Sequence, residues 1–232
     1  MTEKRFNYLF KYMKAIKQVD FKESQYIKEE HAKKQIYLHH TAGGPNPIAT
    51  FRYWESTPDR VATCVTIGGK ADKSNAWIDG EIVQGFSSKF WAYHLGLQTG
   101  TFKKLNVPYQ SLDKISIGVE ICNFGFVNYK DGKFLTYVNS VIPKEDVIEL
   151  DHAFRGHKFF HAYTDAQIES VKELLILWNQ KYNIPLKYNE DIWDVCPRAL
   201  KGEAGVYTHN SVRYDKIDIT PQPKMIAMLK SL

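Results

Sequence analysis

The chain has 232 residues, 44% of them hydrophobic and 25% charged, with a formal net charge of +5. That length and balance describe a globular chain able to bury a sizeable core in one large domain, and they exclude disorder as the account of any long segment. No run approaches the roughly 20 apolar residues of a membrane-spanning helix, no basic tract interleaved with aromatics points to nucleic acid, and the widely separated Cys64, Cys122 and Cys196 make neither a CxxC pair nor a disulfide framework.

At the amino terminus Phe6, Leu9, Phe10, Met13 and Ile16 recur at helical spacing, with Lys4, Lys11, Lys14 and Lys17 off that stripe. This predicts a basic amphipathic helix docked on the domain's own core, and with its lead-in it accounts for residues 1–33. The same stretch shows no continuous apolar run and no small-residue cleavage site, so no secretory signal is expected. Ile36-Tyr37-Leu38 is a β-rich segment that runs into His39-His40-Thr41-Ala42-Gly43-Gly44-Pro45, where glycine and proline end the strand and open a loop.

Residues 61–67 read as a further strand, and 81–84 as another after an Asp79-Gly80 turn. Over 115–121, Ser116, Gly118 and Glu120 alternate with Ile117, Val119 and Ile121; packing the apolar side leaves Glu120 facing a cleft. Thr164 and Gln167 form a capping box ahead of Ile168, Val171, Leu174, Leu175 and Trp178 on one helical face. Residues 206–209 suggest a last strand, and Pro223 suits the first turn of a terminal helix reaching 229. Strands separated by helices imply an α/β domain with a central mixed sheet.

His39 and His209 stand in polar, strand-end settings, and Asp218 follows His209 closely. Two imidazoles and a carboxylate can hold zinc with a fourth position open, the arrangement of a hydrolytic site. Spacing alone leaves the alternative open, since the chain has 8 histidines and chance pairs occur. Successive strand residues point to opposite faces, so only one of His39 and His40 can reach a shared metal.

These residues resemble an amidase family that includes the phage lysozyme-type amidases and the peptidoglycan recognition proteins. Residues 36–43 resemble its opening motif, and Ala92-Tyr93-His94-Leu95-Gly96 its Trp-His-Ala-Gly-like segment. Ser116-Ile117-Gly118-Val119-Glu120 resembles its central strand, and Tyr163-Thr164-Asp165-Ala166-Gln167 the start of its long helix. Thr208-His209, Lys216-Ile217-Asp218 and Pro221-Gln222-Pro223 resemble its terminal metal segment. The resemblance spans residues 34–232, taken as the catalytic domain, and implies a peptidoglycan recognition protein-like fold.

It implies zinc held by His39, His209 and Asp218, with His40 a neighbour. Lys216, two residues before the last ligand, is implied as the cation that steadies the oxyanion of the attacked amide, with Lys216 and Asp218 on one side and Ile217 facing away. The general base is a tyrosine in some members and a glutamate in others. Thr63 stands at the tyrosine position and cannot move that proton, so Glu120 takes the role, or else orients a histidine ligand. His94, Tyr93, Trp91 and Thr63 are the candidate substrate contacts, with core packing the alternative for the aromatics.

The implied activity is hydrolysis of the amide between N-acetylmuramic acid and L-alanine of peptidoglycan, an anionic wall polymer that suits the chain's positive charge. A module that binds muramyl peptide without turnover is the alternative. Relatives of that kind commonly lose a ligand, whereas all three positions are filled here. A single catalytic domain without an export signal resembles a phage endolysin, a monomer made in the host cytoplasm and released through a separate pore; a bacterial wall-recycling enzyme is the other setting.

Overall fold

The computed structural model describes residues 15–232. In chain order its elements are β1 (Ile16–Gln18), β2 (Gln35–His40), α1 (Pro47–Glu55), β3 (Val65–Ile67), β4 (Ile82–Gln84), α2 (Thr99–Lys104), α3 (Leu112–Ile115), β5 (Ser116–Ile121), β6 (Asn128–Lys130), β7 (Lys133–Leu135), β8 (Val141–Ile142), β9 (Val147–Phe154), β10 (His157–His161), α4 (Asp165–Tyr182), α5 (Pro197–Leu200), β11 (Gly205–Thr208) and α6 (Pro223–Lys230), with short 3₁₀ turns between some of them. Six strands form one sheet in the order β1-β4-β3-β5-β2-β11. Only β3 and β4 pair antiparallel within it, so the sheet is mixed. With helices flanking it, the fold is the α/β architecture that the alternating pattern implied.

β2 has a parallel neighbour on each side, and all of its residues are buried. A strand covered on both faces needs a near-continuous apolar run, which Ile36-Tyr37-Leu38 supplies. Register places His39 beside Glu120 of β5 and Leu38 beside Thr208, the last residue of β11. Three adjacent parallel strands therefore end together, and the crevice beyond their carboxyl ends receives His39, Glu120 and His209.

α4 begins as its sequence indicates. The Thr164 hydroxyl accepts from the Gln167 amide at 3.0 Å and the Gln167 side chain accepts from the Thr164 amide at 3.1 Å, a cap contributing about 1 kcal/mol. Ile168, Val171, Leu174, Leu175 and Trp178 are buried along its inner face, and Asn183 ends it in the left-handed conformation.

The amino-terminal reading is corrected where the structure describes it. The proposed helix falls mainly on residues 1–14, outside the described residues, but its last apolar member, Ile16, belongs to β1, the edge strand beside β4. The lead-in that follows is built into the same core: Phe21 and Tyr26 are buried, and Tyr26 stacks on Phe86 with ring centroids 4.6 Å apart. The strand read over 61–67 shortens to Val65–Ile67, while Val61 makes only an isolated bridge to Tyr93. Thr63 turns its hydroxyl onto the Val65 carbonyl at 2.8 Å, a local bond that competes with the ladder.

Between β5 and α4 the chain makes an excursion not foreseen in the sequence. β6, β7 and β8 form a small antiparallel sheet, and β9 pairs with β10. Among the described residues no helix is long and apolar enough to cross a membrane, and the three cysteines are buried free thiols.

Candidate metal centre

His39 near the end of β2, His209 immediately after β11, and Asp218 on the loop that follows bring three donor atoms together. His39 Nδ1 lies 3.0 Å from His209 Nδ1 and 3.2 Å from Asp218 Oδ2, and His209 Nδ1 lies 2.9 Å from the same oxygen. The Asp218 loop is anchored from behind, where the buried Asn210 amide donates to the carbonyls of Asp218 at 3.1 Å and Ile219 at 2.8 Å. Sequence reasoning missed Asn210, although it adjoins a candidate ligand.

The outer nitrogens show what the inner ones present. His209 Nε2 faces the Leu95 carbonyl at 2.9 Å. A carbonyl only accepts, so Nε2 carries the proton and Nδ1 offers a lone pair. His39 Nε2 faces His94 Nδ1 at 3.0 Å, and His94 Nε2 faces the Ser116 hydroxyl at 2.8 Å. With His39 Nδ1 unprotonated as well, three acceptors would converge with no donor among them, which is a donor set for a cation. Zinc ligands at about 2.0–2.2 Å and tetrahedral angles lie roughly 3.3 Å apart, close to the spacing found. The residues fit a metal.

Electrostatics agree. Burial, and then the neighbouring His209, push the His39 imidazole down to about 4, so it is neutral at neutral pH. His40 is turned to a different partner: its Nδ1 lies 3.0 Å from the Tyr163 hydroxyl, and the ring is not part of the donor cluster.

The cluster opens into a cleft of about 490 Å³ whose walls include Glu120, Lys216, Tyr93 and His94. Glu120 is half-buried, and burial, reinforced by the Asp218 carboxylate and opposed by Lys216, pushes its carboxyl well above the usual range. Lys216 and Asp218 both reach the cleft, but on a loop rather than a strand, and Ile217 lines the cleft with them instead of facing away. The alternation argument fails there because 212–222 has no extended pairing.

The four candidate substrate contacts separate. Tyr93 stands on the rim, 47% exposed. His94 lines the cleft with both ring nitrogens engaged behind it. Thr63 lines the cleft wall but is 2% exposed, and its hydroxyl is committed to Val65. Trp91 is not brought to the cleft: its indole N–H donates to Glu29 at 3.2 Å and its ring packs edge-on against Tyr93. Phe124, Phe126 and Tyr137, which no motif singled out, form a further wall from the β5–α4 excursion.

A sequence model of the family described as N-acetylmuramoyl-L-alanine amidase matches residues 30–223. The chain belongs to this amidase family. It hydrolyses the amide that joins the stem peptide of peptidoglycan to N-acetylmuramic acid. No curated protein matches the chain. Among solved structures, a mutant endolysin from Bacillus subtilis superposes with a TM-score of 0.51 at 16% identity, covering 94% of this chain and 98% of that one. The structure of PlyL gives a TM-score of 0.48 at 15% identity over 88% of this chain and 86% of that one. At such identities the likeness to the endolysin is one of fold, and the amidase's site rests on its own residues.

Proposed function

We propose that the amidase is zinc-dependent, with His39, His209 and Asp218 as ligands, Glu120 as general base and Lys216 as the oxyanion-stabilising cation. The observation that carries this reading is the convergence of three acceptor atoms within 2.9–3.2 Å of one another at the mouth of a cleft that also holds Glu120 and Lys216. Zinc bound there would supply a Lewis acid that polarises the scissile carbonyl and acidifies water. Glu120, on the cleft wall beside the donor cluster, takes the proton of the attacking water and returns it to the departing amine of alanine. Lys216 places a positive charge where the carbonyl oxygen becomes negative. Tyr93 and Tyr137, exposed on the cleft walls, offer aromatic faces to the muramyl peptide.

The cellular setting we propose is that of an endolysin, a monomer made in a host cytoplasm and reaching the wall through a separate pore.

The test is digestion of purified peptidoglycan with and without a zinc chelator, read by mass spectrometry. Stem peptides beginning with alanine, released only without chelator and restored by added zinc, are the expected products. Peptidoglycan that is bound but left uncut under both conditions would replace this reading with that of a binding module.

A further inference from the structure

We infer that Asp113, with Ser116, is a positioning residue that sets which nitrogen of His39 and His209 faces the metal site. The inference rests on the zinc reading above and concerns a carboxylate outside the cleft. A histidine binds a metal only through the nitrogen that lacks a proton, and what the other nitrogen meets decides which one that is. For His209 the outer partner is the Leu95 carbonyl, 2.9 Å from Nε2. For His39 it is His94, which could itself be protonated on either side.

The ambiguity is resolved at the far end of the chain of contacts. Ser116 Oγ lies 2.8 Å from His94 Nε2 and 3.4 Å from the backbone carbonyl of Asp113. The carbonyl only accepts, so the Ser116 hydroxyl donates to it and accepts from His94 Nε2–H. His94 Nδ1 is then the acceptor for His39 Nε2–H at 3.0 Å, and His39 Nδ1 turns its lone pair inward.

Both outer partners therefore come from one dipeptide, His94-Leu95, and that dipeptide hangs on one side chain. Asp113 Oδ1 accepts from the His94 amide at 2.9 Å and from the Leu95 amide at 3.0 Å. Asp113 is itself buried. Removing its carboxylate leaves two buried N–H groups without an acceptor and frees the segment that supports both imidazoles.

The experiment is a ¹⁵N NMR assignment of the histidine tautomers in metal-free protein, paired with zinc dissociation constants from chelator competition. Wild-type protein is expected to show His39 and His209 protonated on Nε2. Asp113→Ala should mix the tautomers of both and weaken zinc binding about 10–100-fold. Asp113→Asn, whose side-chain oxygen keeps both acceptances, should restore them. Ser116→Ala should disturb His39 and leave His209 alone. Wild-type tautomers and zinc affinity in Ser116→Ala and in a folded Asp113→Ala overturn the inference, and if Asp113→Ala does not fold, Ser116→Ala alone decides it. Were wild-type protein to bind no zinc, the zinc reading would fall, while the metal-free tautomers would still decide this inference.

Discussion

Gly118 and Thr63 are packed so closely that a methyl group at position 118 would displace the threonine: a Cβ there would lie 2.6 Å from the Thr63 methyl carbon, and 3.0 Å from His94 Nδ1, where the ring would have to give by a few tenths of an ångström. A shift of Thr63 would strain the bond from its hydroxyl to the Val65 carbonyl. Gly118→Ala therefore crowds both Thr63 and His94, the ring that meets His39 Nε2. Overpacking of this kind costs about 1–3 kcal/mol, and the expected result is a lower melting temperature together with weakened zinc binding. Wild-type zinc affinity in a merely destabilised variant would show that His94 gives way without disturbing the ligand.

Glu120→Gln separates chemistry from architecture. The amide keeps the shape of the side chain but cannot accept the proton of water, so kcat should fall about 10²–10⁴-fold with zinc content unchanged. The same variant has a signature in stability. A carboxyl raised in the folded state contributes stability that is present below its unfolded pKa of about 4.3 and lost as pH rises through the folded value. In metal-free protein Glu120→Gln should match wild type in acid and exceed it at pH 8, as a pH series of thermal melts would show.

Lys216→Ala leaves all three donor atoms in place and removes the positive charge beside them. We expect kcat to drop by about 10²-fold, the cost of losing one oxyanion donor, with KM moving far less. A variant that instead raises KM at constant kcat would assign Lys216 to ground-state binding of the muramyl peptide.

Much of this site was legible because residue type and position reinforced one another. A polar doublet ending an apolar strand, a glutamate on a strand face otherwise made of serine and glycine, and a capping box at Thr164 each carry a local physical reason, and the structure builds β2, β5 and α4 from them. What escaped was of two kinds. The Leu95 carbonyl and the Asp113 carboxylate act through backbone groups, which leave no mark on residue identity. The excursion bearing Phe124, Phe126 and Tyr137 is built from strands as short as Val141–Ile142, too brief for periodicity. It did carry one readable signal, Asp131-Gly132, whose positive φ values of 50° and 75° close the β6–β7 hairpin.

The doublet itself supplies a test that does not pass through catalysis. Burial pushes His40 down to about 4, although its ordinary value is near 6.5, because the enclosed ring beside the Tyr163 hydroxyl is poorly placed to carry charge. In the unfolded chain the same ring takes up a proton at the ordinary value. The unfolded state therefore binds more protons between pH 6.5 and about 4, and stability is lost as pH falls through that window, by up to roughly 1.4 kcal/mol per pH unit for each such histidine. His40→Asn keeps a polar atom near the Nδ1 position and removes the titration. Chemical denaturation of metal-free protein at pH 7 and pH 4.5 should show a smaller acid loss in His40→Asn than in wild type. Equal losses would mean that the acid sensitivity resides in His39 and the other buried histidines, and that His40 is tolerated as a cation beside Tyr163.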